Sequence, residues 1–495
     1  MGTVLPLAHQ RRNAGPQAYQ YRGIFHTEDS NQYFSYPLII PSGTQQVVID
    51  LAYTSNNGSN VLGLQVFDRN GFRGRGRSLE AERDWHRVAV VIAAGCRTKG
   101  AVSGEIAPGV WTIEIDTYSI KNCCAFELET AIYRGRPVPE PGGELEQDLP
   151  LQLPYTQRPG WYRGDLHVHS DESDGALDAR DLLRLAVIRG LDFLAITDHN
   201  VHTAWQQFTP GLPEFCLPLN GIELSTYYGH GNALGVSEWV DWRIGLGKYG
   251  VNEMIRQVQE LGGIFSINHP RTGKLPQDHA CWRAEEVDYS LVGAVEIWNA
   301  PVYSNGTGAN QQSRRFWDQL LNQGYRITGI GGSDAHYLEG SRQPLGIPLT
   351  YVYARSLSQT GIITGIKRGN VFMTAGPIVD FTATTNSGAK AMVGEELLLS
   401  KRQELIWLQV NVKDAPVGSS VRLVKNGEPW MSEAVSHDGL FSIAWCDKDA
   451  LGKPDGLTWY RVEVYAPEQA NSPGGDGLLA ITNPIYCTAT VSWIA

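Results

Sequence analysis

The sequence predicts a multidomain protein in which a central α/β domain is flanked by two β domains. At roughly 150 residues a domain, a length of 495 residues fits about three domains. Residues 161–378 alternate strand-like and amphipathic helical segments. Both flanks consist of short β-branched or aromatic runs separated by Gly, Pro and Asn. These patterns favour two all-β folds around one α/β fold.

The first β domain is predicted over residues 1–137. Its strand-like runs include YFSYPLIIP, QQVVIDLAYT and VWTIEIDTYSI, whose composition is typical of a β-sandwich or jelly roll. Residues 138–160 are rich in Pro and Glu and only weakly periodic, which indicates a linker.

The central domain is predicted over residues 161–378. Strands and helices follow one another there, which is typical of a mostly parallel sheet or a barrel. The predicted strands are 163–168, 193–197, 221–225, 264–267, 294–298 and 326–330, and the predicted helices are 178–189, 252–261 and 311–322.

The last domain, residues 379–495, is again predicted to consist of β-strands. Its strand-like runs include LIWLQVNV, FSIAWCD and WYRVEVYA. The pair Asn426-Gly427 predicts a tight hairpin turn. A small Ig-like β-sandwich is expected.

Charge, cysteine usage and hydropathy exclude several classes. The formal net charge is −11 and there is no basic run, so sequence-independent nucleic-acid binding is not expected. The seven cysteines are scattered without a CxxC pair, which predicts reduced thiols. Neither a signal peptide nor an apolar stretch of membrane-spanning length is visible, so a cytoplasmic protein without membrane contact is expected. The oligomeric state is left open.

Polar side chains with metal-binding chemistry recur where the predicted strands end. Residues two apart on a strand face the same side, so His167 and His169 could bind one ion together. Imidazole and carboxylate ligands without thiolate suit Zn²⁺, Mn²⁺ or Fe²⁺. The candidates are His167, His169, Asp174, His199, Glu223, His230, His269, Asp334 and His336.

Five ordered motifs carry a family resemblance. DLHVHSDESDG, LAITDHN, GIEL, INHP and GSDAH resemble the motifs of the PHP (polymerase and histidinol phosphatase) superfamily. KRGNVFMTAGP, WYRVEVYA and ITNPIY are similar to segments of its CehA/McbA (carbaryl-hydrolase-like) branch. The resemblance implies a distorted (β/α)7 barrel that holds two or three divalent metal ions.

The resemblance also implies which of these residues would bind which metal ion. His167, His169, Glu223 and Asp334 would form the first site, and Glu223 would bridge to a second ion held by His230 and His269. Asp174, His199 and His336 would hold a third ion. Many PHP proteins have His at the position of Asp174, which puts the third site in doubt.

Such a centre suits hydrolysis, with a bridging hydroxide as the nucleophile. Asp334 would either carry a proton toward the leaving group or serve only as a ligand. Arg271, directly after His269-Pro270, would either neutralise an anionic substrate oxygen or be a surface or ion-paired arginine.

Six further residues have weaker claims to a role. Each has an alternative as a rim, loop, cap or core residue. They are His202, Lys274, His279, Trp298, Asn299 and Tyr303. No chemistry is expected of Cys123-Cys124.

The leading hypothesis is a phosphoesterase acting on a small-molecule substrate. The alternative within hydrolases is a carbamate or carboxyl ester hydrolase using the same centre. The alternative of another class is a non-catalytic glycan- or peptide-binding protein. A nuclease or proofreading unit is disfavoured by the acidic charge.

Overall fold

The structure is a computed structural model. It describes residues 17–82, 84–94, 96–135, 156–207, 216–245, 249–271, 280–300, 308–337, 344–399, 404–437, 439–450, 457–467 and 476–489. The chain divides into two compact units. The first comprises Met1–Leu151, Asp171–Ser173 and Asn200–Thr209, and the second comprises Gln152–Ser170, Asp174–His199 and Pro210–Ala495.

The first unit is built from nine strands and two short 3-10 helices among its described residues. The strands form two antiparallel sheets, of order β1-β9-β3-β7-β6 and β2-β8-β4-β5. Their bounds are β1 (Gln17–His26), β2 (Tyr33–Ile40), β3 (Gln46–Thr54), β4 (Val61–Asp68), β5 (Gly71–Arg75), β6 (Arg77–Glu82), β7 (Trp85–Ala93), β8 (Gly109–Ser119) and β9 (Cys123–Tyr133). The 3-10 helices are Thr27–Asp29 and Thr203–Gln207.

The two sheets of the first unit share one apolar core. In β3, alternate residues Val47, Ile49 and Leu51 are fully buried, as the period of two along a strand requires. They pack with Leu38 of β2 and Ile113 of β8, which lie in the other sheet. Two sheets on a shared core make a β-sandwich.

The second unit contains the segment that is predicted from the sequence to be α/β. Its sheet runs β16-β15-β14-β13-β12-β11-β10-β17-β18. The strands are β10 (Gly160–Asp165), β11 (Phe193–Ile196), β12 (Leu217–Thr226), β13 (Gly229–Leu234), β14 (Ile264–Ile267), β15 (Ala294–Asn299), β16 (Thr328–Gly332), β17 (Leu349–Ala354) and β18 (Val371–Thr374). The helices are α1 (Ala179–Ile188), α2 (Val251–Glu260), α3 (Ala309–Asn322) and α4 (Gln359–Lys367).

Parallel pairing holds in two parts of this sheet. β10, β11 and β12 are parallel, and so are β14, β15 and β16. Between them β13 runs antiparallel to both neighbours and follows β12 directly in a hairpin. Strict βα alternation is therefore interrupted there, and the (β/α)7 barrel stays a prediction.

The two ends of the seven-strand run β10–β16 meet beyond the strands. Val168 bridges Ala335 in parallel. The His169 N–H donates to the carbonyl of Ala335 (3.0 Å), and the Asp334 N–H donates to the carbonyl of His167 (2.8 Å). The segments that carry three candidate ligands are thus paired through their backbones.

The remaining strands of the second unit are β19 (Ile378–Thr385), β20 (Lys390–Met392), β21 (Glu396–Leu399), β22 (Ile406–Lys413), β23 (Ser420–Lys425), β24 (Glu428–Ala434), β25 (Leu440–Asp447), β26 (Leu457–Tyr465), β27 (Leu478–Thr482) and β28 (Ile485–Ala489). One sheet has the order β20-β19-β22-β25. The other continues the central sheet through β18, β27, β26, β23 and β24. Asn426 and Gly427 join β23 to β24 with positive φ at both residues (54° and 88°), so the predicted hairpin is confirmed.

Buried polar contacts tie this last β segment to the central strands and to α3. The side-chain amide of Asn483 accepts a hydrogen bond from the Gly329 N–H and donates one to the Gly329 carbonyl, each 2.7 Å long. Arg461 of β26 forms an ion pair with Asp318 of α3. The end of the chain therefore supports β16, the strand that leads to Asp334.

Three expectations from the sequence concern other parts of the chain. Most of the predicted linker, residues 138–155, lies outside the described residues. The seven cysteines, all of which lie within the described residues, form no disulfide with one another. Among the helices in the described ranges, none combines the length and apolarity needed to cross a membrane.

Candidate metal centre

Nine histidine and acidic side chains of the second unit converge where its strands end. They form four groups, and within each group one ligand atom per residue lies within 4.8 Å of the others. The groups are His169, Asp174, His199 and His336; His167, His169 and Asp334; His167, Glu223 and His269; and His199, Glu223 and His230. These are the nine candidate ligands predicted from the sequence. The structure brings them together, and their role as metal ligands stays a prediction.

Glu223 lies at the middle of the cluster and is 1% exposed. Its Oε1 is 3.1 Å from His269 Nε2, and 3.3 Å from both His167 Nε2 and His230 Nδ1. Its Oε2 is 2.9 Å from His199 Nδ1 and 3.5 Å from His169 Nε2. One carboxylate from β12 therefore faces five imidazoles from four other segments.

Asp334 follows β16 and faces the two histidines that follow β10. Its Oδ1 lies 3.1 Å from His169 Nε2 and 3.5 Å from His167 Nε2. Its backbone carbonyl lies 2.8 Å from His336 Nδ1. Because a carbonyl only accepts, the proton of the neutral ring lies on Nδ1, which leaves the lone pair of that form on His336 Nε2.

Asp174 marks the solvent side of the cluster, with 54% of its side chain exposed. Its carboxylate lies 3.4 Å from His336 Nε2, 3.6 Å from His199 Nε2 and 3.7 Å from His169 Nδ1. His199 Nδ1 is 2.6 Å from Ser225 Oγ, which orients its other nitrogen toward Asp174. This part of the cluster is open to solvent, whereas Glu223 is not.

Mutual electrostatics shift the pKa values of these groups strongly. Burial alone would raise the pKa of the Glu223 carboxyl, but the imidazoles around it, His167 foremost, hold that pKa well below its ordinary value. Burial alone would lower the pKa of His167, yet the carboxylates of Asp334 and Glu223 hold it well above its ordinary value. Burial, with the positive charges of neighbouring imidazoles, lowers the pKa of His169 to about 4. His169 is therefore neutral near pH 7, the form that binds a cation.

The residues present fit divalent metal ions. Within the described part of the chain, His167 Nε2 and both ring nitrogens of His169 are buried and make no hydrogen bond of good geometry, although carboxylate oxygens lie 3.1–3.7 Å from them. Two ligand atoms that each lie about 2.1 Å from one ion, at tetrahedral or octahedral angles, are roughly 3.0–3.4 Å apart. The contacts of Asp334 Oδ1 and Glu223 Oε1 with imidazole nitrogens, 3.1–3.5 Å long, agree with that spacing.

Two of the nine residues have strained backbones. His269 has φ of 27° and Asp334 has φ of 52°. Non-glycine residues adopt this region rarely, at a cost of about 1–3 kcal/mol each. Such strain persists only where the surrounding contacts fix the residue, and it is found frequently at functional sites.

Three buried polar residues that support the cluster were missed from the sequence. Glu296 contacts His167 Nδ1 at 3.0 Å, and Asn268 donates to Glu223 Oε1 at 2.9 Å. Asp165 accepts the N–H groups of His167, Ser333 and Gly346 at 2.8–3.2 Å. The available signal was a charged or amide side chain within, or directly at the end of, an apolar strand.

The structure separates the weaker candidates. Asn299 donates from Nδ2 to Asp334 Oδ2 (3.3 Å), so it belongs to the cluster. Trp298 is completely buried, in agreement with its alternative as a core residue. His202 lies in the first unit, where its ring contacts Phe72 and Trp205. Lys274, His279 and Tyr303 lie outside the described residues.

Arg271 is held by local contacts. Its Nη1 donates to the carbonyls of Pro270 and Trp282, at 3.1 Å each. Its guanidinium lies 4.5 Å from the centre of the Phe316 ring. These contacts account for the side chain structurally, and its role toward a substrate stays a prediction.

Comparison with known proteins gives only remote likenesses. No protein-family model matches this chain, and no curated protein matches it. One similar solved structure is a two-domain protein from Bacteroides vulgatus containing a predicted PHP-like metal-dependent phosphoesterase; it is 15% identical, covers 68% of this chain and 99% of its own, and has a TM-score of 0.37. Another is an amidohydrolase from Chromobacterium violaceum with bound sulfate and no metal; it is 16% identical, covers 35% of this chain and 88% of its own, and has a TM-score of 0.24.

Proposed function

We propose that this protein is a metal-dependent hydrolase whose substrates are small-molecule phosphoesters. The observation that carries the proposal is the set of six histidines and three carboxylates that form four adjoining ligand groups. Burying so many charged and imidazole groups together is destabilising unless they are paired or bind metal. A cluster of this kind is therefore not expected in a domain that serves only as a scaffold.

The centre would hold two or three divalent ions, with Zn²⁺, Mn²⁺ and Fe²⁺ the types that its ligands suit. When bound, such ions supply Lewis-acid chemistry, which makes water nucleophilic near neutral pH and neutralises negative charge developing on the substrate. The chain contributes the geometry. Glu223 would hold the ions close together, since its two oxygens face different imidazoles.

Asp334 is better suited to binding than to proton transfer. Its Oδ1 faces two imidazoles, and its Oδ2 accepts a hydrogen bond from Asn299. The imidazole charge nearby, chiefly that of His167, outweighs the effect of burial and holds the pKa of the Asp334 carboxyl below its ordinary value. A carboxylate with both oxygens engaged and a low pKa is a poor donor to a leaving group. We therefore assign it as a ligand.

The phosphoester assignment is supported by the ordered motifs that resemble the PHP superfamily, in which phosphoester hydrolysis is the common activity. A carbamate or carboxyl ester hydrolase of the CehA/McbA kind remains the alternative. An apolar aromatic pocket would favour that alternative, but Trp298, one of the aromatic residues considered for it, is completely buried in the core.

A side-by-side assay tests the proposal. An aryl phosphomonoester, an aryl phosphodiester and an aryl carbamate are each incubated with the protein and Mn²⁺ or Zn²⁺. We expect turnover of a phosphoester, which is lost in His167→Ala while circular dichroism shows an unchanged fold. Turnover of the carbamate alone would support the alternative hydrolase. Inactivity on all three, with no bound metal in elemental analysis, would favour the glycan- or peptide-binding alternative.

A further inference from the structure

Glu296 is a buried carboxylate that belongs to none of the four ligand groups. It lies in the middle of β15, between Val295 and Ile297, and is 1% exposed. Its strand neighbours are fully buried apolar side chains. A carboxylate in such a place is strongly destabilising unless hydrogen-bond donors satisfy it. Its presence therefore calls for a specific set of partners.

Three donors from the candidate centre surround this carboxylate. Glu296 Oε1 lies 3.0 Å from His167 Nδ1. Its Oε2 accepts the backbone N–H of His269 (2.9 Å) and the side-chain amide of Asn299 (3.1 Å). Both oxygens are thus engaged, and two of the three partners are candidate metal ligands.

The contact with His167 fixes that imidazole chemically as well as spatially. A carboxylate accepts, so the proton of the neutral ring lies on Nδ1 and the lone pair lies on Nε2. Nε2 is the atom that faces Glu223 Oε1 at 3.3 Å and Asp334 Oδ1 at 3.5 Å. A hydrogen bond from one ring nitrogen to a carboxylate also makes the other nitrogen a stronger ligand.

The contact with His269 acts on the backbone. His269 has φ of 27°, an unfavourable conformation for a residue with a side chain. Its N–H bond to Glu296 stabilises that conformation, in which His269 Nε2 lies 3.1 Å from Glu223 Oε1. One carboxylate thus holds two histidines that come from the ends of different strands, β10 and β14.

Gly332 leaves room for this arrangement. A Cβ at that position would lie 2.4 Å from His167 Cβ and 3.0 Å from Glu296 Oε1. The first distance is far below van der Waals contact, so a side chain there would displace His167. The second glycine of the GGSDAH segment is therefore explained by the His167–Glu296 pair.

We propose that Glu296 is a positioning residue that sets the tautomer of His167 and the orientation of His167 and His269 for metal binding. This inference rests on the proposed metal-dependent function. Glu296 acts through the two histidines, because the contact of its Oε1 is with His167 Nδ1, the ring nitrogen opposite the one that faces Glu223 and Asp334.

The test compares Glu296→Gln with Glu463→Gln. Glu463 is a matched control, because it is also a buried glutamate on a strand but is bonded to Arg461 and Tyr465. Zn²⁺ affinity is measured by competition with a chromogenic chelator, and the Co²⁺ form gives a visible absorption spectrum that reports ligand geometry. Glutamine cannot accept from both the imidazole and the backbone N–H, so we expect affinity to fall about 10–100-fold.

The expected result has three further parts. The number of ions bound at saturation is unchanged in Glu296→Gln, its Co²⁺ spectrum is altered, and Glu463→Gln matches the wild-type protein in both. If Glu296→Gln does not fold, Glu296→Asp, which keeps the charge on a shorter side chain, is expected to show weakened affinity with the same number of ions.

Two outcomes would overturn the inference alone. Wild-type affinity and spectrum in the folded variant would show that Glu296 does not position the histidines. Loss of one bound ion at saturation would show that it is itself a ligand. Absence of metal binding by the wild-type protein would instead overturn the proposed function, and is distinguished from both because it requires no variant.

Discussion

Asn299 donates hydrogen bonds from the same amide nitrogen to Asp334 Oδ2 (3.3 Å) and to Glu296 Oε2 (3.1 Å). Asn299→Ala would leave two neighbouring carboxylates without this shared donor. We expect kcat/KM to fall about 10–100-fold, the size of effect usual for groups that orient metal ligands. Asn299→Asp should be worse, since it places a third negative charge there. Steady-state kinetics of both variants check this, and wild-type rates in Asn299→Ala would contradict it.

Replacing Glu223, the central carboxylate, should reduce both the number of bound metal ions and the turnover rate. In Glu223→Gln the charge that faces five imidazoles is lost. We expect at least one fewer ion per chain by elemental analysis and a fall in turnover of about 100-fold or more. Glu253→Gln, an exposed residue near the start of α2, is the control and should keep its metal. A full complement of ions in Glu223→Gln would refute the central role of this residue.

Stability of the first unit should depend on Asp116. Burial raises the pKa of this carboxyl from 3.8 to about 6, although Gln65 donates a hydrogen bond to its Oδ2 (2.7 Å). Because the folded pKa is the higher one, the protonated form is favoured in the fold, and stability falls as pH rises from about 4 through 6. A pKa shift of this size lowers the free energy of unfolding by roughly 3 kcal/mol at pH 7, relative to its value near pH 4.

Asp116→Asn should remove that loss. We expect the variant to be more stable than the wild-type protein at pH 7, and the difference to disappear near pH 4. Thermal or denaturant unfolding at both pH values measures it. A stability difference that does not change with pH would contradict the assignment.

Asn483 should contribute far more to the free energy of unfolding than a surface asparagine does. Its side chain satisfies both backbone groups of Gly329 and also donates to the Val371 carbonyl, all within the core. Asn483→Ala would leave the two Gly329 groups unpaired, at about 1–3 kcal/mol for each group without compensation. The Val371 carbonyl would keep its hydrogen bond from the backbone N–H of residue 483 (3.0 Å). Asn411→Ala, on β22 with exposed hydrogen bonds, is the control and should cost at most about 1 kcal/mol. Equal costs in the two variants, measured by urea unfolding, would contradict the prediction.

Strands with strong local patterns were predictable from the sequence. The prediction of 264–267 coincides with β14, and that of 294–298 differs from β15 by one residue. β13 was missed because Gly229–Leu234 begins Gly-His-Gly, which indicates a loop locally. Its strand conformation depends on pairing with β12 and β14 on both sides, and that information is not local.

The convergence of the nine candidate ligands was also predictable, since their residue types at strand ends have few structural uses in combination. The buried residues that support them were not predictable. Glu296 and Asn483 are polar residues in apolar surroundings, and their partners lie 129 and 154 residues away along the chain. Sequence shows that such residues are unusual, but only the fold shows which groups they satisfy.

The four ligand groups form a closed ring in which each shares one residue with the next: His169, His167, Glu223 and His199 are the shared members. If ions bind to these groups as proposed, their occupancies would be linked. An ion held by one group would draw electron density from a residue that the adjoining group shares, and this would change the affinity of that group for its own ion. Metal titration should therefore depart from an independent-site isotherm, and a chelator should strip the ions in succession, beginning where Asp174 opens the ring to solvent.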